Sequence, residues 1–207
     1  MTEPPFLAAA RDLIRAGKYR PAVELLMAGV SEHPDEYHRK AYSHAGVALY
    51  SNHEWAEAMS MFTVAANGSD VPEDWFNVAM AQIRMGDPAG GLETWEKVFA
   101  LSYAHQDAPE TSTFSQKKLL FARALLDAGA DASIGHPVGL DLLENQLLGF
   151  YTNHHTTDPH TWGIRGVPQF DEVMDTIRDY YRLMGRSLEE WTALCDRVAA
   201  AVDDEGR

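Results

Sequence analysis

The chain has 207 residues, of which 45% are apolar and five are Trp, and it carries a formal net charge of −14 at pH 7. Those figures describe a folded globular protein, and an acidic surface of that size repels nucleic-acid backbones, so no nucleic-acid partner is expected. One cysteine, Cys195, excludes an internal disulfide and fits a reducing cytoplasm. The opening Met-Thr-Glu-Pro-Pro-Phe lacks the basic and apolar regions of a signal peptide, and no apolar run approaches the roughly 18 residues of a membrane span.

The predicted elements are helices throughout, because no alternation of strand period appears. Pro4-Pro5 suits a first helical turn, where the missing N–H is harmless. The first helix runs to about Ala16 and stops at Gly17. A second runs from about Arg20 to Glu32. Residues 36–51 and 54–67 form the next pair, closed by the break Asn67-Gly68-Ser69-Asp70. Val71-Pro72-Glu73-Asp74 opens a third pair, about 73–85 and 88–101. Ala104–Glu110 reads as a loop. Thr111–Ala128 is a helix with Phe114, Leu119, Leu120, Ala122 and Leu125 on its apolar side, ended by Gly129. Gly139–Tyr151 follows, with Leu140, Leu143, Leu147 and Phe150 as core. A loop of about sixteen residues, Asn153–Pro168, is long for a compact domain. Two last helices span about 169–184 and 188–203. Ser187 and Glu190 make a capping box for the final one. Its stripe of Leu188, Trp191, Cys195, Val198 and Val202 suits either a cap on the end of a stack or the seam of a homodimer.

The first hundred residues repeat. Gly17-Lys18-Tyr19-Arg20-Pro21-Ala22 is followed by Leu26 and Gly29, His53-Glu54-Trp55-Ala56-Glu57-Ala58 by Phe62 and Ala65, and Gly86-Asp87-Pro88-Ala89-Gly90-Gly91 by Trp95 and Val98. Each time a turn leads into a helix with a small residue and then a large one four later. Ala22, Ala58 and Gly91 stand 36 and 33 residues apart. A period near 34 means stacked helical hairpins, in which small residues let partner helices approach and large ones fill the layers.

This pattern resembles the tetratricopeptide repeat (TPR) family, whose units read W-x2-L-G-x2-Y, then A-x3-F, then P. Tyr42 and Trp75 occupy the bulky aromatic position, with Phe6 as the counterpart in the first unit. Gly46 fills the glycine position, and Ala10 and Ala79 substitute for it. Pro34 closes the first unit, whereas Asp70 stands in its place in the second. The resemblance covers residues 4–103. It implies a single TPR-like domain over 1–207, an all-α, right-handed α-solenoid. Its repeats are 4–34, 36–70 and 72–103, followed by a degenerate fourth hairpin at 111–152 and a C-terminal helix pair at 168–204. A run at 124–132 also looks like the end of an ankyrin repeat, but the T-P-L-H motif of that family is missing.

In this family the first helices of successive units line a concave groove that binds a peptide or partner helix, without catalysis. On matching positions the groove would present Leu7, Arg11, Ile14 and Arg15 from the first unit. The second would present Lys40, Ser43, His44, Val47 and Tyr50, and the third Phe76, Asn77, Met80, Ile83 and Arg84. The bet falls on Arg11, Arg15, Lys40, His44, Val47, Tyr50, Phe76, Asn77, Met80 and Arg84. Aromatics, a methionine and separated cations suit an extended peptide, and the cations suit carboxylates. The clamp some members use for a C-terminal carboxylate maps onto Leu7, Arg11, His44, Glu73 and Asn77, where only Arg11 and Asn77 could contribute. Charge along the chain is uneven: residues 1–40 hold six Lys/Arg and six Asp/Glu, and residues 41–110 hold two against ten.

Chemistry finds little support. There is no G-x-S-x-G, P-loop or G-x-G-x-x-G, the carboxylates are scattered, and Cys195 sits in an apolar stripe. No catalytic residue and no cofactor is expected. The alternative to a scaffold is a metal-binding protein or metal-dependent enzyme using His154, His155, Asp158 and His160, whose residue types suit zinc or iron although H-E-x-x-H is absent.

Overall fold

The structure, a computed structural model, describes residues 3–33, 37–104, 112–128, 138–141, 143–144 and 170–204. Its helices are α1 (Pro5–Arg15), α2 (Tyr19–Glu32), α3 (His38–Ser51), α4 (Trp55–Ala66), α5 (Pro72–Arg84), α6 (Pro88–Ala104), α7 (Ser112–Asp127), α8 (Phe170–Leu183) and α9 (Leu188–Asp204). Among the described residues no strand occurs. The chain divides into two compact units, Met1–Ala104 and His105–Arg207. The first contains three consecutive hairpins, α1/α2, α3/α4 and α5/α6.

One turn geometry closes each of these hairpins. The N–H of Lys18 donates to the Leu13 carbonyl, that of Glu54 to Leu49, and that of Asp87 to Gln82, each at 2.9 Å. This six-residue closure satisfies carbonyls that the helix end leaves open, and it demands a left-handed residue one position earlier. Gly17 and Gly86 supply it at φ of 70° and 84°. In the second hairpin His53 takes the same place at φ 62°, edge-on to Trp55 at 5.0 Å. The C-terminal unit repeats the closure between α8 and α9: Arg186 donates to Tyr181 at 2.9 Å, with Gly185 at φ 63°.

The small residues of the repeat are contact points. A Cβ on Gly29 would meet Phe6 Cγ at 2.8 Å, one on Gly46 would overlap the Phe62 ring, and one on Gly91 would meet Ile83 Cγ1 at 2.6 Å. The first core joins Leu7, Ala10 and Leu26 to Ala41 and Ala45. The second joins Leu49, Ala58, Phe62 and Ala66 to Val78 and Ala81. Each therefore spans a hairpin and the first helix of the next, so a hairpin is completed by its neighbour.

In the C-terminal unit Leu119, Ala122, Leu140, Leu143, Val173, Ile177, Tyr180, Tyr181 and Leu194 form the core. The buried Tyr180 hydroxyl donates to the Ala122 carbonyl, which satisfies the polar end of a large apolar side chain. Three expectations change here. Leu120 is exposed while Leu119, Phe121, Ala122 and Leu125 are buried, because Leu120 lies at the edge of the face that those residues share. On α9 Leu194, outside the expected stripe, is buried, and Leu188 is 77% exposed at the helix start. Trp191 does pack inward, edge-on to Tyr181 at 5.6 Å. The capping box forms as read: Ser187 N–H donates to Glu190 at 2.8 Å, and Glu190 N–H to Ser187 Oγ at 3.2 Å.

Candidate binding face

The residues expected to line a groove come from α1, α3 and α5 of the N-terminal unit. Ala10, Ala45 and Ala79 are buried on the inward side of those helices. One residue further round the helix, Arg11 and Met80 are half-buried, and Val47, two beyond Ala45, is 37% exposed. Leu7 and Ile83 are corrections: both are fully in the core, since each shares the inward face with an alanine. Arg15, Lys40 and Arg84 are exposed, while His44, Tyr50, Phe76 and Asn77 are half-buried.

Most of the cations are engaged within the chain. Arg11 holds Glu3 in a two-pronged pair, with Nη1 at 3.0 Å from Oε1. A helical side chain leans toward the N-terminus, which brings Arg11 back to a residue eight positions earlier. Arg15 pairs with Asp12 at 3.0 Å. Arg84 Nε donates to the Tyr50 hydroxyl at 3.3 Å, joining the second and third hairpins. Lys40 has no hydrogen bond or ion pair among the described residues.

The aromatics are anchored at one side and open at the other. Tyr50 meets Trp55 edge-on at 4.8 Å and Phe62 at 6.4 Å. Phe76 meets Trp95 at 6.2 Å. Rings fixed this way lose little freedom on binding.

His44 is the polar centre of the α1–α3 side. Burial pushes its pKa below the usual imidazole value, Arg11 and Lys40 push the same way, and Glu3 opposes them. Its Nε2 atom is buried without a hydrogen-bond partner among the described residues. A neutral imidazole there can accept or donate one bond, depending on its tautomer.

His154, His155, Asp158 and His160 lie outside the described residues. Among the described ones no group of three or more His, Cys, Asp or Glu gathers at metal-binding distance, and no helix is long and apolar enough to cross a membrane.

Sequence reading missed a second polar centre. Asp74, only 2% exposed, accepts from Arg39 at 2.6 Å and from Ser69 Oγ at 2.7 Å on the same oxygen. Asp74 read as one carboxylate among many in the chain. Its position three residues after Val71, at the start of α5, was the available signal.

No protein-family model matches the chain, and no curated protein matches it in sequence. Solved structures do. The TPR-like repeats of a candidate kinesin light chain from Podosopora anserina match with a TM-score of 0.68 at 17% identity, covering 98% of this chain and 95% of that one. A single-substitution variant of the same protein matches at 0.67 and 19%, over 95% and 92%. At such identity the likeness speaks for the fold alone. The protein is thus all-α, with helices packed as consecutive hairpins in the manner of TPR-like repeat structures.

Proposed function

We propose that the chain is a non-catalytic protein-interaction scaffold that binds an extended peptide or partner helix along the α1/α3/α5 face. One observation carries the reading: Val47, a large apolar side chain, stands exposed in the middle of that face. Exposed Lys40 lies two turns away on the same helix, and Tyr50, one turn on from Val47, and Met80 of α5 are half-buried. An apolar anchor beside a separated cation is the composition of a peptide-reading surface. TPR-like folds are typically interaction scaffolds, and the single Cys195 fits a cytoplasmic setting.

The test is co-purification from native lysate, with wild type beside Lys40→Glu/Val47→Asp. Both side chains point away from the core, so the variant keeps its unfolding midpoint. A protein retained by wild type and lost by the variant supports the face. A partner held equally by both rejects it.

A further inference from the structure

A cleft lined by none of the residues assigned to the α1/α3/α5 face lies where the start of α3 meets the end of α4. Its volume is about 310 Å³, and its walls include His38, Arg39, Tyr42, Val64, Asn67 and Ser69. That size is at the small end of ligand pockets, which run from about 300 to 1,000 Å³, so it suits one amino-acid-sized group.

The walls are of two kinds. On one side Val64 is 51% exposed and the Tyr42 ring is half-buried, which leaves apolar surface open. On the other, Arg39 is fixed. Its Nη1 bonds buried Asp74, and Asp74 is held in turn by Ser69 Oγ. Ser69 is itself pinned, its Oγ accepting from the Val71 N–H at 3.1 Å and its carbonyl from Trp75 Nε1 at 3.0 Å. His38 is turned aside, its Nε2 donating to the His33 carbonyl at 3.0 Å. A guanidinium carries five donors in a rigid fork. Arg39 spends one on Asp74 and has no further partner among the described residues. A guanidinium oriented by a buried carboxylate presents its remaining edge without reorganisation.

We propose that this cleft binds a small monocarboxylate with an apolar body, the carboxylate on Arg39 and the apolar part against Val64 and Tyr42. A single, already half-compensated guanidinium favours a monoanion over a phosphate dianion, which would call for a second cation. The same chemistry is offered by a free organic acid and by the C-terminal residue of a peptide.

The test is a ¹H–¹⁵N NMR titration of the full chain with phenylpropionate, with N-acetylphenylalanine and with the primary amide of the latter. Both acids are expected to shift residues 38–42 and 64–69 saturably, and the amide to bind at least ten-fold more weakly. Tighter phenylpropionate binding assigns the cleft to free acids, and tighter N-acetylphenylalanine binding to C-terminal residues. Val64→Glu, at an exposed position, is expected to abolish acid binding while the unfolding midpoint holds. Val47→Asp, on the other face, leaves it intact. Equal shifts with acid and amide, no shift in these residues, or full binding to Val64→Glu would each overturn the proposal.

Discussion

Gly46 lies directly against the Phe62 ring in the second hairpin, and a double-mutant cycle between them tests the packing scheme. A Cβ on Gly46 would overlap the edge of the Phe62 ring and lie 3.0 Å from its Cγ. Phe62 is 2% exposed and shares its core with Leu49, Ala58 and Val78, so the ring has nowhere to go. Gly46→Val adds three carbons to that space. Overpacking costs about 1–3 kcal/mol, and the better helix propensity of Val returns about 0.3–0.5. The expected net loss is about 0.5–2.5 kcal/mol. Phe62→Ala alone loses the ring and leaves a cavity, for about 3–5 kcal/mol. In the double variant the valine occupies the space the ring vacated. The two losses then fall short of additivity by about 1–2 kcal/mol, within the range for residues in contact. Urea unfolding followed by Trp fluorescence measures all four corners, since Trp55, Trp75 and Trp95 all lie in this unit. Additive losses would refute the argument, because they would mean that the ring does not fill the space opposite Gly46.

Two further outcomes follow from the polar centres. Asp74→Ala strips Arg39 and Ser69 of their shared acceptor. Arg39 is 39% exposed and regains water, which discounts the loss to about 2 kcal/mol in the same unfolding assay; an unchanged midpoint would show that the pair is not formed. His44 is expected to titrate by NMR below the 6.5 of a free imidazole, because burial, Arg11 and Lys40 all disfavour its charge. With the folded pKa depressed, the unfolded chain binds more protons, so stability is full above about pH 6.5 and declines as pH falls below it. Glu3→Gln removes the opposing charge and lowers the midpoint further, whereas Lys40→Gln raises it; a midpoint at or above 6.5 would contradict the geometry.

The repeat was legible wherever it is written in residue size. Ala22 and Ala58 are fully buried, Gly91 sits at a close approach, and Gly17 and Gly86 close the turns that their positions announce. The last hairpin was less visible, although its signal was present. Leu183-Met184-Gly185-Arg186 matches Arg84-Met85-Gly86-Asp87 in form, and the same carbonyl closure follows. An apolar count drew the stripe on α9 through Leu188, but Trp191 with Leu194 is an equally good i, i+3 pair. Which of two adjacent stripes turns inward depends on what α8 presents, and only the packed structure carries that. Leu7 was misplaced for a related reason. One turn below Ala10, it shares the alanine's face and is drawn into the core with it.

The expected face was harder to read because cations do not announce their partners. Arg20 bonds Glu54 and Glu57, 34 and 37 residues away. Arg39 bonds Asp74 at 35, and Arg84 bonds Tyr50 at 34. These separations are all about one repeat. In a stack, each hairpin lies against the same region of the next, so a charge that looks free within one unit meets its counterpart one period along. The exposed pairs among them add little to stability. The effect of the Arg39–Asp74 pair is on register: a hairpin slipped against its neighbour would leave the Asp74 carboxylate buried without its charged partner, at a cost of several kcal/mol. The same pairing narrows what is left for a ligand. Arg11, Arg15 and Arg84 must each give up an internal contact to bind a partner's carboxylate, and that exchange gains little. Among the described residues Lys40 and Val47 have no such contact to give up. If the α1/α3/α5 face binds a partner, discrimination therefore rests on those two positions of α3, and the three arginines set the rim around them.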